Sequence, residues 1–482
     1  MNALSTPADP AIVLADFASR LRFERVPKEV IAQTKQAVLD TLGVALAGSG
    51  LGEGAREISR FAETQSGSPE ATIWSTGKRV AAGAAALANA ATARTLDYDD
   101  ILESPQVHVS VCVVPAAFAV AERLAVPVDG KAFLAALIAG SELQCRLAAA
   151  IRGRGANTFP VMLSTQVFGY FSAAATCGHL LGLGPETMQS AFGLALMQAA
   201  GTQEMVVHSP RSVGKCIYAA FSNQGGLSSA VMAQCGVVAQ GAVFSGKAGL
   251  FKAYYGGCYD PARLIDDLGS SYLSTRRCIK ACPGTLVSHA FVEAAQQIME
   301  RDALEPSAVA DIRAHVGPWG QAMCEPLDMR RKPPSASAAM NNIPFMVAKA
   351  VANGTVALAD FDPDGRSEPE ALRMAQRFNY VLDPSLANPD GLEPGILDII
   401  THDGRMRSAR IDHPRGHPAR PLTFDEVAAK FRANARYAAA APSPDDVEAI
   451  IDRVRHLEDM PDVGALVRMI APRRPDLQSG EP

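Results

Sequence analysis

The stretch VPKEVIAQTKQAVLDTLGVALAG, residues 26–48, decides the fold class, because its apolar residues recur with the period of a helix. The i, i+3, i+4, i+7 spacing is followed by Val30, Ile31, Thr34, Val38, Leu39, Leu42 and Val44. The pattern stops at Gly48, a residue type that often follows a helix end. The stretch therefore predicts a core helix in an α-rich domain.

Alanine-rich segments continue this helical pattern to about residue 270. Three of them lie at residues 132–151, 167–184 and 187–201, and their small residues allow helices to approach closely. The most apolar stretch, residues 107–126, contains Pro115 and, near its end, the charged pair Glu122-Arg123. We interpret it as a buried helix rather than a membrane span.

After about Ser270 the pattern changes. Residues 308–317 and 396–412 alternate like strands, and the second segment contains the turn signal Asp403-Gly404. Helical segments lie between them, and helical periodicity returns in the C-terminal tail. We therefore predict a mainly α fold with an α+β part: a large all-helical domain from residues 1–270 and 405–482, and a smaller α+β lid domain from residues 271–404.

Composition limits the class of protein. The 482 residues are 48% hydrophobic, enough for a large core, and the formal net charge of −5 without a basic block predicts no nucleic-acid partner. The N-terminal residues lack a secretory pattern, and nine cysteines without paired C-x-x-C motifs are typical of reduced thiols. We expect a cytoplasmic protein with no membrane partner and no metal site, since Cys278 and Cys282 lack a nearby histidine pair.

A cluster of acidic residues suggests a functional site. The segment NAATARTLDYDDILESPQVH, residues 89–108, is an alanine-rich run ending in Asp97, Asp99 and Asp100, with His108 eight residues later. A carboxylate that accepts the N–H of an imidazole fixes its tautomer and increases its basicity, as a general base for a carbon-bound proton requires. The alternative is that the acidic residues cap a turn and His108 is an ordinary core or surface residue.

The same segment resembles an acidic motif of the MmgE/PrpD family, N-G-x-A-x-H-x-x-D-x-D-D followed by H-P-S, although the match is eroded. Further resemblances follow in the family's order at residues 40–50, 141–148, 214–226, 280–289 and 343–354. The third of these segments resembles the lysine motif K-x-L-H-x-G-x-A-A-x-x-G, and the fourth resembles K-x-Y-P-x-C-x-x-x-H. Each motif is weak alone, but their shared order over roughly 300 residues makes coincidence improbable.

The resemblance implies a fold, an assembly and a chemistry. Family members combine a helical domain with an α+β lid, form homodimers with the active site between the two domains, and break a bond next to a carboxylate without metal or organic cofactor. On this basis His108 is the candidate base, oriented by Asp97 or Asp99. Lys215 would bind a carboxylate or supply positive charge, and His289 would be a second acid or base. The alternatives are a solvated helix lysine and a buried histidine bonded to a carbonyl.

Two positions depart from the family pattern. Leu163 stands where the family usually has a histidine, and Phe345 stands where it has a catalytic tyrosine. Their loss removes two proton donors and predicts a more apolar substrate pocket. His208, with Arg211 as a second cation, is a candidate replacement for the lost imidazole, and the alternative is a loop histidine.

Three functions are compatible with these residues. The first is a cofactor-independent lyase, a dehydratase or decarboxylase, acting on a small carboxylic acid. The second is an isomerase or epimerase that removes and returns an α-proton and therefore needs no acid for a leaving group. The third is a ligand-binding descendant without catalysis.

Overall fold

A computed structural model describes residues 9–151, 161–205, 213–388 and 391–472. It divides into two compact units. The first contains the described parts of Met1–Thr95, Asp99–Arg277 and Phe424–Pro482, and the second contains Leu96–Tyr98 and Cys278–Thr423. The prediction of a mainly α fold with a smaller α+β part is confirmed.

The first unit is built mostly from helices. Before the second unit these are α1 (Pro10–Arg20), α2 (Lys28–Leu51), α3 (Ala55–Thr64), α4 (Ala82–Arg94), α5 (Ser110–Arg123), α6 (Gly130–Ile151), α7 (Ser164–Leu180), α8 (Pro185–Gln198), α9 (Gly214–Gln234), α10 (Leu250–Tyr255) and α11 (Ala262–Ile265). Two short hairpins interrupt them: β1 (Ala71–Thr72) with β2 (Arg79–Val80), and β3 (Ile101–Glu103) with β4 (Gln106–Val107). The first unit therefore also contains these four strands, which the sequence pattern does not reveal because strands of two or three residues are too short to show alternation.

Small residues explain how closely α4, α5, α6, α7 and α9 pack. A Cβ atom on Gly140 would lie 1.9 Å from Thr176 Oγ1, and one on Gly226 would lie 2.6 Å from the Tyr170 carbonyl oxygen. Only glycine permits these approaches. Among the described residues, one helix, α6, is long and apolar enough to cross a membrane, but 94% of its apolar window is buried inside the fold, as in a core helix.

Helix α5 contains a proline, and a side chain from another helix replaces the backbone hydrogen bond that the proline cannot form. Pro115 has no N–H to donate to the Val111 carbonyl, four residues earlier. The side chain of Asn223 in α9 donates to that carbonyl at 2.8 Å and accepts from Ala116 N at 3.0 Å. This contact fixes α5 against α9, two helices that flank the candidate site described below.

The second unit contains a four-stranded sheet and short helices. Its elements are α12 (Leu286–Arg301), β6 (Val309–Val316), α13 (Pro318–Cys324), α14 (Leu327–Arg331), α15 (Ala336–Met340), α16 (Ile343–Asn353), α17 (Pro363–Arg366), α18 (Pro369–Arg377), β7 (Phe378–Leu382), β8 (Gly395–Thr401) and β9 (Met406–Ile411), with β5 (Arg277–Cys278) at the boundary of the two units. The strand order is β7-β6-β8-β9. Strands β6 and β7 are parallel, and the other neighbours are antiparallel.

The chain returns to the first unit later than expected. A boundary after residue 404 would divide the hairpin of β8 and β9, whose turn contains Gly404 at φ 80°. Since all the strand pairing of β9 is with β8, the second unit extends to Thr423. The first unit then resumes with α19 (Phe424–Ala435), α20 (Pro444–Arg455) and α21 (Gly464–Ile470).

Candidate active site

His108 and Asp99 lie together in the first unit. Helix α4 ends at Arg94, the chain continues through the hairpin of β3 and β4, and His108 follows that hairpin just before α5 begins. This path brings His108 Nδ1 to 2.8 Å from Asp99 Oδ2 and 3.1 Å from the Asp100 carbonyl oxygen. The Asp99 carboxylate therefore lies beside the imidazole, while the Asp100 carbonyl oxygen accepts the Nδ1 hydrogen bond, and orientation of His108 by a carboxylate stays a prediction.

Arg94 contacts both members of this pair. Its Nη1 donates to Asp99 Oδ1 at 3.0 Å, and its Nη2 lies 2.9 Å from His108 Nε2. A guanidinium carries only donors, so Nε2 must accept and the proton of a neutral His108 must lie on Nδ1, which donates to the Asp100 carbonyl oxygen. The three side chains form a buried cluster, since Asp99 is fully buried and Arg94 is 3% exposed.

Backbone contacts fix the position of His108. Its N–H donates to Thr165 Oγ1 at 3.0 Å, and its carbonyl accepts from Gln144 Nε2 at 2.9 Å. Asp100 has a different role from Asp99. It accepts from Ser110 N and Oγ and pairs with Arg277, and so caps the start of α5.

A second buried ion pair joins α2 to α19. Lys430 Nζ lies 2.6 Å from Asp40 Oδ1, and Asp40 is 2% exposed. Burial raises the pKa of Asp40 to about 6 against the attraction of Lys430, and the charges of Asp100 and Asp99 raise it further. The carboxylates of the candidate site therefore influence a residue on α2.

Lys215 and Tyr218 lie in the first turns of α9. Lys215 is the second residue of the helix and is half-buried. Tyr218, 5% exposed, accepts a hydrogen bond from Arg94 Nε, and its ring lies 5.2 Å from the guanidinium carbon. Tyr218 is therefore part of the buried cluster, a role that the sequence did not suggest.

In the second unit, Asp97 forms an ion pair. Lys280 Nζ, 1% exposed, lies 2.7 Å from both the side-chain oxygen and the carbonyl oxygen of Asp97. Asp97 adopts a left-handed backbone conformation with φ 49°, uncommon for a residue other than glycine. The Gly284 N–H also donates to the Asp97 carbonyl at 3.2 Å. Lys280 is the first residue of the family-like segment at residues 280–289, and no role was predicted for it from the sequence.

The other predicted residues have the following positions. His289 is buried in the first turn of α12. Phe345 is fully buried in α16, where its N–H donates to the N-cap residue Asn342 and its ring packs against Phe361. Leu163 is half-buried and immediately precedes α7. His208 and Arg211 lie outside the described residues.

Comparison with known proteins supports the resemblance inferred from the motifs. The family model for the MmgE/PrpD N-terminal domain matches residues 13–261, more than half of the chain. The model for the MmgE/PrpD C-terminal domain matches residues 283–457. The chain belongs to the MmgE/PrpD family.

Several curated MmgE/PrpD relatives match nearly the whole chain. The cis-aconitate decarboxylase-like protein oryM of Aspergillus oryzae is 25% identical, and the match covers 95% of this chain and 96% of the relative. Human cis-aconitate decarboxylase is also 25% identical, with 96% and 95% covered. Mouse cis-aconitate decarboxylase is 24% identical, with 93% and 91% covered.

The MmgE/PrpD motifs contained the signal that would have identified the two missed members of the cluster. Arg94 stands where the acidic motif has histidine, and Tyr218 stands where the lysine motif has histidine. These two replacements contact each other although 124 residues separate them in the chain. A paired departure of this kind marks a site more clearly than either substitution alone.

Proposed function

We propose that this protein is a lyase that acts on a small carboxylic acid, by decarboxylation or dehydration. The observation that carries the proposal is the buried cluster of Asp99, His108 and Arg94. Membership of the MmgE/PrpD family supports it, as does similarity along nearly the whole chain to proteins named cis-aconitate decarboxylase.

Both reactions need one imidazole that gains and loses a proton. In a decarboxylation the bond to the carboxyl carbon breaks, CO2 leaves, and the remaining carbon keeps the electron pair and takes a proton. In a dehydration a proton leaves carbon, the electron pair forms a double bond, and the hydroxyl group departs with a proton as water. We assign the proton transfer at carbon to His108, oriented by Asp99.

Positive charge is the second requirement, because the substrate carboxylates are anions and negative charge develops at carbon in either reaction. Arg94 is fixed beside His108, and Lys215 lies one helical turn before Tyr218, the residue that contacts Arg94. We propose that these two cations hold substrate carboxylates. We also propose His289 as a second proton donor and Asp97, paired with Lys280, as a further polar group of the reaction.

Two apolar residues bear on the choice between decarboxylation and dehydration. Leu163 and Phe345 offer no proton, so a substrate that needs several donors for a leaving hydroxyl group is disfavoured relative to one that only loses CO2. We therefore place decarboxylation before dehydration, with cis-aconitate as the first compound to test.

The test is incubation with cis-aconitate and a panel of di- and tricarboxylic acids in deuterated water, followed by NMR. Decarboxylation would release CO2 and leave a product carrying one deuterium. Exchange of deuterium into an otherwise unchanged acid would indicate an isomerase or epimerase instead, and silence across the panel would favour a ligand-binding protein. His108→Gln should abolish turnover, whereas Arg20→Gln, a change at an exposed arginine of α1, should not affect it.

A further inference from the structure

The lone pair that would make His108 a base is occupied by a hydrogen bond from Arg94. Arg94 Nη2 donates to His108 Nε2 at 2.9 Å, while the other ring nitrogen faces Asp99 and the Asp100 carbonyl. The guanidinium stays charged at any accessible pH. It therefore has no lone pair with which to accept a proton from Nε2 of a protonated imidazole. His108 in this arrangement can neither accept a proton at Nε2 nor donate one from it.

The remaining contacts of Arg94 allow Nη2 to change partner while the rest of the side chain stays fixed. Nε donates to the Tyr218 hydroxyl, the Tyr218 ring lies against the guanidinium, and Nη1 donates to Asp99. The Nη2 bond is the contact with the imidazole that the described residues show. Tilting the rigid guanidinium plane about the line from Nε to Nη1 would move Nη2 away from Nε2 and keep the ion pair with Asp99.

A carboxylate is a stronger acceptor for a guanidinium than a neutral imidazole is, because the bond is then charge-assisted on both sides. Of the three cluster members, the His108 side chain has the largest exposed fraction, 8% against 4% for Arg94 and none for Asp99. The guanidinium and the imidazole are in direct contact, so an anion bound at His108 would also lie within reach of Arg94.

We propose that Arg94 masks the base of the free protein and that a substrate carboxylate unmasks it by taking over the Nη2 hydrogen bond. This inference rests on the proposed function and deepens it, since it makes Arg94 both the carboxylate-binding group and the switch that activates His108. Compounds without a carboxylate at this position would leave His108 inactive, which restricts the reaction to carboxylic acids.

The first experiment observes His108 directly by nitrogen-15 NMR of histidine-labelled protein, with His108→Gln to assign the signals. The free protein should show a neutral ring with the proton on Nδ1 and Nε2 as a hydrogen-bond acceptor. Titration with cis-aconitate or succinate should shift the Nε2 signal in proportion to the bound fraction measured by calorimetry. A proton on Nε2 in the free protein, saturable binding without any change at Nε2, or no binding of either acid would each overturn the proposal.

The second experiment separates binding from chemistry. Arg94→Gln should weaken carboxylate binding roughly tenfold to hundredfold, the effect of losing one charged hydrogen bond, and should remove the ligand-dependent change at Nε2. Arg94→Lys, which keeps the charge but not the planar geometry, should recover part of the affinity. Arg20→Gln is the matched control for loss of an arginine, and unchanged affinity in Arg94→Gln would contradict the proposal.

The two proposals can fail separately. If no acid is turned over but the Nε2 signal still responds to bound carboxylate, the masking is real and the lyase assignment is wrong. If an acid is turned over while His108 does not respond to it, the lyase assignment survives and the role of Arg94 is wrong.

Discussion

Asp99 and Asp100 are adjacent in the chain, but their carboxylates have different partners. Asp99 lies between Arg94 and His108, while Asp100 binds the first residue of α5 and Arg277. Both are buried, so removing the charge of either one leaves a buried cation without its partner. Asp99 has its carboxylate beside the imidazole, whereas Asp100 contacts the imidazole through its backbone carbonyl oxygen.

We predict that Asp99→Asn and Asp100→Asn have different effects on turnover. Without the Asp99 charge, the protonated form of His108 loses stabilisation, and kcat should fall roughly a hundredfold to ten-thousandfold. Asp100→Asn should instead destabilise the fold by about 3 kcal/mol, since it leaves Arg277 buried without its counter-charge. The measurements are kcat and urea unfolding of both variants, and a folded Asp99→Asn protein with normal kcat would contradict the assignment.

The sequence could not decide which aspartate partners His108, for a reason that lies in the backbone. Three carboxylates in four residues are equally plausible partners on spacing alone. The left-handed backbone conformation of Asp97 is not apparent from its residue type. In this conformation both a side-chain oxygen and the carbonyl oxygen of Asp97 accept hydrogen bonds from Lys280. Likewise, Arg94 gives no sign of its contact with Tyr218, because no local pattern relates residues so far apart in the chain.

At the scale of elements, the contact of α2 with α19 depends on a buried charge pair. Asp40 lies in the middle of the helix that the opening stretch predicts, among apolar residues, and Lys430 comes from a helix near the C-terminus. The pair therefore ties the beginning of the first unit to its end. An ion pair in such a position is sensitive to removal of one partner.

We expect Lys430→Met to lower the free energy of unfolding by about 3–5 kcal/mol, because the Asp40 carboxylate would remain buried without its cation. The double variant Asp40→Asn/Lys430→Met should recover much of this loss, since no uncompensated charge remains. Urea unfolding of the wild-type protein and the variants measures the coupling. If the double variant is no more stable than Lys430→Met, the pair is not the source of the effect.

The pH dependence of stability provides an independent test of the same pair. The pKa of Asp40 is about 6 in the folded protein, above the 3.8 of an exposed aspartate, so the folded state binds the proton more tightly. Its contribution to stability therefore increases as the pH falls from about 7 toward 4. Relative to the double variant, the wild-type protein should gain about 1 kcal/mol between pH 7 and pH 5. A loss of relative stability over this range would contradict the raised pKa.

Most of the elements could be predicted from periodicity, and the exceptions have a common cause. The helix of residues 26–48 and the hairpin around Asp403-Gly404 are present because long apolar patterns report which face is buried. The strands β1 to β4 were not predicted because two or three residues are too few to show alternation, and contacts with distant side chains contribute to the position of β1. Glu122, for example, accepts from Thr72 N and Oγ.

At the scale of the whole molecule, the order of motifs along the chain was more informative than any single motif. That order predicted the family, which two family models covering residues 13–261 and 283–457 confirm. It could not predict the local rearrangement around His108, since Arg94 and Tyr218 depart from the motifs and contact each other in the fold. A departure from the family pattern at one residue is therefore most informative together with a departure at a residue that contacts it in the fold.

Binding of a substrate acid should be measurable as stabilisation of the whole protein. A ligand that binds only the folded state adds RT ln(1 + [L]/Kd), about 2.7 kcal/mol at a hundredfold excess over Kd. We predict that cis-aconitate or succinate raises Tm in a saturable way, and that the corresponding neutral esters do not, because an ester cannot form an ion pair with Arg94 or Lys215. Arg94→Gln should raise the ligand concentration that gives half of the maximal increase in Tm by roughly tenfold or more, whereas Arg20→Gln should leave that concentration unchanged. Equal stabilisation by acids and esters would mean that the cations of this site do not recognise carboxylates, and the assignment of the substrate class would have to be abandoned.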